Sequence, residues 1–434
     1  MRNPPSDPLL QGGGAIARSA ILGWVLYDLA NTIFALGVGG LYFPLWVVSE
    51  QGWPDSAIGL TTAAAMAVVI VASPWIGARS DFFGLRLPYL RRTTFLAVAA
   101  TFLLAQVEVL PSLLLFGLAL VGFHLGSVIY DSLLPDVSRA DNRGWISGLG
   151  VGAGYVGSFV AVGTGSLARD AFGFPTVFKT IAVLFLVFAL PAFLLIRERP
   201  RPRHQGDPPT AGRALTQVVR SWRKARRYPG TTRFLVGRFL YTDAINTVIL
   251  FLAVFAVEEI GFTTGQVEVL LPLAIGAAVA GGVGAGRLSD RIGPRRTLHG
   301  ALYLWMVALA VGMTAALSQA QPLAWAVGAL GGFALGATGA SDRVYMARIS
   351  PPRFLGEFYG LYATVGRFAT IFGPLVWALT VDGLGLGRVA AMGSLLGFLL
   401  AARLILSGVH DAVREWPLED LEDAVSSTAP LSGR

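Results

Sequence analysis

Long apolar segments recur along this 434-residue chain, each long enough to cross a bilayer as a helix. A spanning helix needs about 20 mostly apolar residues, within a range of roughly 17–25. On that measure the sequence predicts twelve spans, over residues 19–48, 56–78, 93–109, 111–135, 145–168, 175–196, 234–257, 267–286, 297–318, 322–343, 357–381 and 388–407. Hydrophobic residues make up 54% of the chain and charged ones 14%, against about 25% charge in a soluble domain. A chain so long and so apolar does not fit one soluble core. Lipid is the solvent that accepts it. Strands of a β-barrel are half as long and alternate, which these segments do not. The breaks Glu108–Pro111 and Ser318–Pro322 suit helical hairpins, because proline ends an incoming helix and favours a new start.

A net charge of +8 raises the question of nucleic acid, but the basic residues sit in particular loops. With the N-terminus cytoplasmic, the inner loops hold Arg79, Arg86, Arg91, Arg92, Arg139, Arg143, the eleven basic residues from Arg197 to Arg233, Arg287, Arg291, Arg295, Arg296, Arg348 and Arg353. The outer loops hold only Arg169, Lys179 and Arg388. This bias predicts a multi-pass protein of the cell (plasma or inner) membrane with both termini cytoplasmic, and it explains the charge without nucleic acid. The expected organisation is a cytoplasmic tail over 1–18, a six-helix bundle over 19–196, a basic linker over 197–233, a second six-helix bundle over 234–407 and an acidic tail over 408–434. The tail over 1–18 lacks the apolar stretch of a signal peptide, so the first span is expected to be retained. Within the linker, Leu215, Val218, Val219 and Trp222 fall at helical spacing among arginines. That pattern reads either as an amphipathic helix on the anionic inner leaflet or as a solvated charged linker. Zero cysteines remove disulfides, thiolate metal sites and thiol nucleophiles. No metal site and no cofactor is expected. A glycine run, Gly152-Ala-Gly154-Tyr-Val-Gly157, formally matches a dinucleotide fingerprint, but it lies inside an apolar helix where no strand precedes it. It reads instead, with Gly148 and Gly150, as small-residue ridges for close helix contact, as do the glycines of 276–286 and 328–339, and such smooth faces would suit sliding between two states.

The halves repeat. After the second span the chain reads Gly77-Ala-Arg-Ser-Asp81-Phe-Phe-Gly84-Leu-Arg86, and after the eighth it reads Gly286-Arg-Leu-Ser-Asp290-Arg-Ile-Gly293-Pro-Arg295. Asp28-Leu-Ala-Asn31 in the first span is matched by Asp243-Ala-Ile-Asn246 in the seventh. The doubled G-x-x-x-D-x-x-G-x-R loop resembles the signature loop of the major facilitator superfamily, and the resemblance covers the whole chain. It implies an all-α membrane protein of twelve transmembrane helices in two pseudo-symmetric bundles, in which Gly77, Asp81, Gly84, Arg86, Gly286, Asp290, Gly293 and Arg295 latch the inner gate. The Asp is expected to accept backbone N–H groups at a neighbouring helix start, and the Arg to pair locally. Trp24-Val-Leu-Tyr27-Asp28, Tyr130-Asp131-Ser-Leu-Leu-Pro135-Asp136 and Arg343-Val-Tyr345-Met-Ala-Arg348 are similar to bacterial relatives of the autophagy-related vacuolar amino-acid effluxers. That narrower likeness implies transport of amino acids or similar small solutes.

Ionisable groups inside spans cost roughly 2.5–3.5 kcal/mol each on insertion scales, so each is a functional candidate. They are Asp28, His124, Asp131, Arg238, Asp243, Asp342, Arg343 and Arg367. Asp28 and Asn31 share a helix face, as do Asp243 and Asn246. By resemblance the first and seventh helices line the central path, so these pairs are candidates for substrate binding or proton coupling, with Tyr27 and Tyr241 as neutral hydrogen-bonding neighbours. The alternative is a structural role near the inner gate. Arg367, ahead of Gly373-Pro374, reads either as a dock for a substrate carboxylate or as a fixed ion pair with Asp131, Asp342 or Asp28. Asp131, Asp342 and Arg343 lie at inner span ends and read as gate ion pairs. His124, alone on an apolar face, reads as packing more readily than as a relay.

The expected function is secondary active transport of a small polar solute, an amino acid or related zwitterion first, by alternating access with a coupling proton and as a monomer. No nucleotide-binding loop is present to power it. The runner-up is transport of lysolipids, sugars or lipophilic drugs by proton or sodium coupling; a strongly apolar cavity would favour lipids or drugs. A non-transporting receptor or scaffold has no need of two gate loops, and no catalytic constellation for an enzyme occurs within the spans.

Overall fold

A computed structural model describes residues 17–138, 142–198, 225–350 and 355–409, with scattered positions between 210 and 223. Its helices are α1 (Arg18–Glu50), α2 (Asp55–Phe83), α3 (Leu87–Phe102), α4 (Val109–Ser132), α5 (Arg143–Phe172), α6 (Phe174–Leu195), α7 (Pro229–Glu258), α8 (Thr264–Ile292), α9 (Pro294–Ser318), α10 (Gln321–Ile349), α11 (Leu355–Phe368, resuming as Phe372–Ala378 and Leu379–Gly383) and α12 (Gly387–Ser407). Eleven of them are long and apolar enough to cross a membrane. The third is shorter than the sequence predicts. It begins at Leu87-Pro88, six residues early, carries Arg91 and Arg92 in its first turns and ends at Phe102. The turn that follows contains Ala105 at positive φ, so the chain breaks ahead of Pro111. The second hairpin turns where expected, with Gln319 left-handed and Pro322 in the first turn of α10.

Two bundles result, α1–α6 and α7–α12. Within the first, α1 packs against α5 and α6; within the second, α8 packs against α10. Glycine permits both approaches. A Cβ on Gly157 would come within 2.5 Å of the Leu29 carbonyl oxygen, and one on Gly332 or Gly336 would strike the α8 backbone at Ala274 or Ala278. Gly148 and Gly152, by contrast, face open space. The ridge on α5 is therefore Gly150, Gly154 and Gly157, and these smooth faces join helices inside a bundle.

α1 does not keep regular α winding. Pro44 has no N–H for the Gly40 carbonyl, and the helix widens to π turns over Ala35–Tyr42 and Trp46–Glu50. α11 is interrupted after Phe368, just ahead of Gly373-Pro374. The expected linker helix and both tails fall largely outside the described residues.

Candidate functional site

A cavity of about 470 Å³ lies between the bundles, walled by α1 and α5 on one side and by α7 to α10 with Met392 of α12 on the other. Its wall is aliphatic and aromatic over most of its extent, with Leu36, Leu252, Leu271, Ile275, Leu309 and Val327 among the lining. Among the described residues Asp28 is the one charged side chain in that lining. Its carboxylate sits beside Gly150 of α5, where an added Cβ would come within 2.9 Å of Oδ2. Below it Trp24 and Tyr27 stack on Tyr130, with centroids 4.7 and 5.0 Å apart. Across the cavity, Trp305 of α9 is 4% exposed and its indole Nε1 has no hydrogen-bond partner. Nothing in the sequence marked Trp305, because tryptophan in mid-span is ordinary packing.

The paired Asp-x-x-Asn motifs part company in the fold. Asp243 is fully buried and away from the cavity lining. Its Oδ2 accepts from the Gly373 backbone N–H at 2.6 Å, and Asn246 Nδ2 donates to the Ala369 carbonyl at 2.7 Å. Both therefore satisfy backbone groups freed by the interruption in α11. Asn31 is buried with its Oδ1 unpartnered. Tyr27 shares a 2.6 Å hydrogen bond with Thr94 inside the first bundle. Tyr241 donates to Asp342 Oδ2 at 3.2 Å inside the second.

Asp342 belongs to that second bundle too. Arg238 lies 3.4 Å from its Oδ2 while stacking 3.7 Å above the Tyr362 ring, a cation–π contact. Asp342, expected in a gate ion pair, has this cationic partner on α7 of its own bundle. Arg343, one residue on, is exposed. Near the repeat loops, Arg367 Nη2 on α11 pairs with Asp131 Oδ2 on α4 at 2.5 Å, across the two halves. Asp131 is 60% exposed, so this contact is wet. His124, two turns back on α4, packs edge-on to Phe123 and lies within electrostatic reach of Arg367.

At the repeat loops, Gly84 adopts the left-handed conformation (φ 66°) that closes the turn after α2, and Gly293 is also at positive φ. Arg86 pairs with Asp81 at 2.8 Å and also donates to the Ser132 carbonyl at the end of α4. The backbone N–H groups opening α3 are accepted by Glu198, at 2.8 Å from Leu87, and not by Asp81. In the second loop Arg295 donates to the Ser407 carbonyl at 2.7 Å, and Asp290 is exposed.

On the opposite face the halves are joined firmly. Asp55 of α2, fully buried, binds Arg388 of α12 and Trp377 of α11, and Arg169 of α5 meets Glu268 of α8 at 3.2 Å. Gly59 lies against the Pro374 carbonyl, where a Cβ would come within 2.7 Å. Contacts between halves thus concentrate away from the repeat loops, as in a two-bundle protein closed on one face around a central cavity.

The sequence profile of the Major Facilitator Superfamily matches residues 28–374, and again 236–430. The chain belongs to this superfamily. As a major facilitator protein it is a multi-pass membrane transporter and not an enzyme. It is 25% identical over 398 residues to the uncharacterized MFS-type transporter YxiO of Bacillus subtilis (strain 168), covering 87% of this chain and 92% of that one. To autophagy-related protein 22 of Coccidioides immitis (strain RS) it is 27% identical over 267 residues, 55% of this chain and 44% of the fungal protein. The solved structure of the nucleoside transporter NupG superposes with a TM-score of 0.69 at 12% identity, over 90% of this chain and 98% of that one. That likeness speaks for the major facilitator fold.

Proposed function

We propose that this transporter moves a small amphipathic solute, with an amine and an apolar body, by alternating access of its two bundles. The observation that carries this reading is the cavity, whose largely apolar wall holds, among the described residues, one charged side chain, Asp28, and a free indole donor, Trp305, beside the hydroxyls of Thr32, Tyr155 and Ser158. An ammonium group would bind Asp28, a carboxylate or carbonyl oxygen of the solute would accept from Trp305 Nε1, and the apolar body would occupy the aliphatic wall. Amino acids with large apolar side chains meet all three demands and agree with the motif resemblance. Asp28 is also the proposed proton site, since desolvation disfavours the ionised form of a carboxylate and changing water access would load and unload it. Arg367 then acts with Asp131 as a gate pair.

The apolar lining favours a second reading, cationic lysolipids or lipophilic drugs, over sugars, which need many polar partners. Placement in the plasma or inner membrane with both termini cytoplasmic follows from the arginine bias of the loops. A thermal-shift screen of purified protein against amino acids, lysolipids, amphiphilic amines and sugars, followed by vesicle uptake under a pH gradient, tests the assignment. Stabilisation and pH-driven uptake of leucine- or phenylalanine-type amino acids are expected. Response to sugars alone would refute it, and response to lysolipids or amine drugs alone would select the second reading.

A further inference from the structure

Two arginines and a histidine meet where the end of α12 packs against the start of α9. Arg295 and His299 lie one turn apart on α9, and Arg403 lies four residues before the end of α12. Both arginines are within electrostatic reach of His299. Arg295 is partly satisfied, since its Nη2 donates to the Ser407 carbonyl at 2.7 Å. Arg403 is not. Its guanidinium stacks 5.0 Å from the centroid of the Tyr303 ring, and among the described residues it makes no hydrogen bond or ion pair. Its Nε is enclosed, whereas Nη1 and Nη2 remain open to the surroundings. Among the described residues no carboxylate pairs with Arg295, His299 or Arg403. A guanidinium cannot shed its proton, and an unpaired cation within a span is costly, so this cluster calls for an anion.

The surroundings identify which anion. His299, Tyr303 and Val307 follow at helical spacing along one face of α9, and Leu400, Arg403 and Leu404 share a face of α12. Tyr303, Val307, Leu400 and Leu404 are each half exposed or more, which in a membrane-spanning bundle sets them against acyl chains. α9 starts and α12 ends on the face that carries the repeat loops. Arg403 therefore lies about 6 Å from its helix end, near headgroup depth, and Val307 and Leu400 lead from the charges towards the bilayer centre. Charge at one end and an apolar lane behind it is the order of parts in a phospholipid. We propose that this groove holds an anionic phospholipid with a glycerol headgroup, its phosphate accepting from the open nitrogens of Arg403 and an acyl chain lying along Tyr303, Val307 and Leu400. Ethanolamine and choline headgroups bring a cation of their own against Arg295 and Arg403, with no carboxylate there to receive it. A soluble anion has no use for the lane. The central cavity takes Trp305 and Leu309 from α9 and Met392 from α12, so this groove is separate from the solute's site.

Native mass spectrometry of the delipidated full chain, offered equal amounts of glycerol, ethanolamine and choline phospholipids, tests this. One glycerol phospholipid is expected to be retained about tenfold better than the other two, the difference a charge-assisted hydrogen bond supplies. Arg403→Gln should bring the three close to parity, whereas Arg291→Gln, which removes an exposed arginine at the end of α8, should leave the preference intact. Ser407→Glu places a carboxylate one turn from Arg403 at an exposed position, so it should supply the missing anion and abolish the preference even if the Gln variant fails to fold. Equal retention of the three lipids by the unaltered protein, or an equal loss of preference in Arg291→Gln and Arg403→Gln, overturns the proposal. So does a preference that emerges only once Asp411→Asn and Glu415→Gln neutralise part of the acidic tail, which would make that tail the occupant.

Discussion

Arg388 grips Asp55 with two hydrogen bonds, Nη2 to Oδ1 at 2.8 Å and Nε to Oδ2 at 2.9 Å, and so ties α12 of the second bundle to α2 of the first. Trp377 adds a third donor at 2.8 Å. Removing one partner of a buried ion pair costs about 3–5 kcal/mol, comparable to the few kcal/mol that separate the states of a two-state protein. Asp55→Asn should therefore shift the population towards opening on this face. The chain has no cysteine, so a single Val248→Cys in the cavity wall reports access without background. Labelling by an impermeant maleimide from that face should speed up at least about tenfold in the Asn variant. An unchanged rate would rule the pair out as a lock.

Asp131 and Arg367 form the corresponding link near the repeat loops, but with Asp131 largely in water the pair is worth little as static stability. Its importance is geometric, because it must break whenever that face opens. Asp131→Arg or Arg367→Asp alone should cut vesicle transport about tenfold or more, through like-charge repulsion between the halves. The double swap should recover most of it. Failure of the swap, with both proteins folded, would argue that Arg367 serves the solute and not the gate.

Asp28 is, among the described residues, the one charged side chain in the cavity wall, so coupling to protons should depend on it. Asp28→Asn keeps size and hydrogen bonding but cannot exchange a proton. In reconstituted vesicles it should weaken exchange of solute for solute, because the ammonium loses its counter-charge, and abolish accumulation driven by a pH gradient even at saturating solute. Asp243→Asn, which weakens the bond to Gly373, should instead lower thermal stability and keep any pH dependence that remains. Retained pH-driven accumulation in the Asp28 variant would end its role as the coupling site.

The comparison of these two aspartates tells what the sequence could and could not carry. Spans and halves were legible because hydropathy and a doubled loop motif are local properties. The doubled Asp-x-x-Asn motif was legible as well, but its meaning depends on the partner helix. α11 breaks beside Asp243 and claims it, whereas Gly150 on unbroken α5 leaves Asp28 facing the cavity. Asp55, Glu268 and Glu198 went unnoticed for a similar reason. Each sits within about a turn of a helix end or beyond it, where a lone charge looks solvated until the fold brings Arg388, Arg169 or the start of α3 against it.

Glycine positions on α5 and α10 give the last prediction, since two opposed terms set its sign. Replacing a helical glycine with alanine gains about 1 kcal/mol in helix propensity, while forcing a methyl into a packed contact costs typically 1–3 kcal/mol. At Gly152 nothing lies within 4 Å of the added Cβ, so the gain stands and Gly152→Ala should raise the unfolding temperature slightly. At Gly336 the methyl meets the backbone of Ala278, which cannot rotate away, so the cost prevails and Gly336→Ala should lower it. Thermal unfolding of the two variants in the same detergent checks both signs. If Gly336→Ala were as stable as the parent, α8 and α10 would have to sit farther apart than this packing places them, and the rigid second bundle on which the gating argument rests would lose its support.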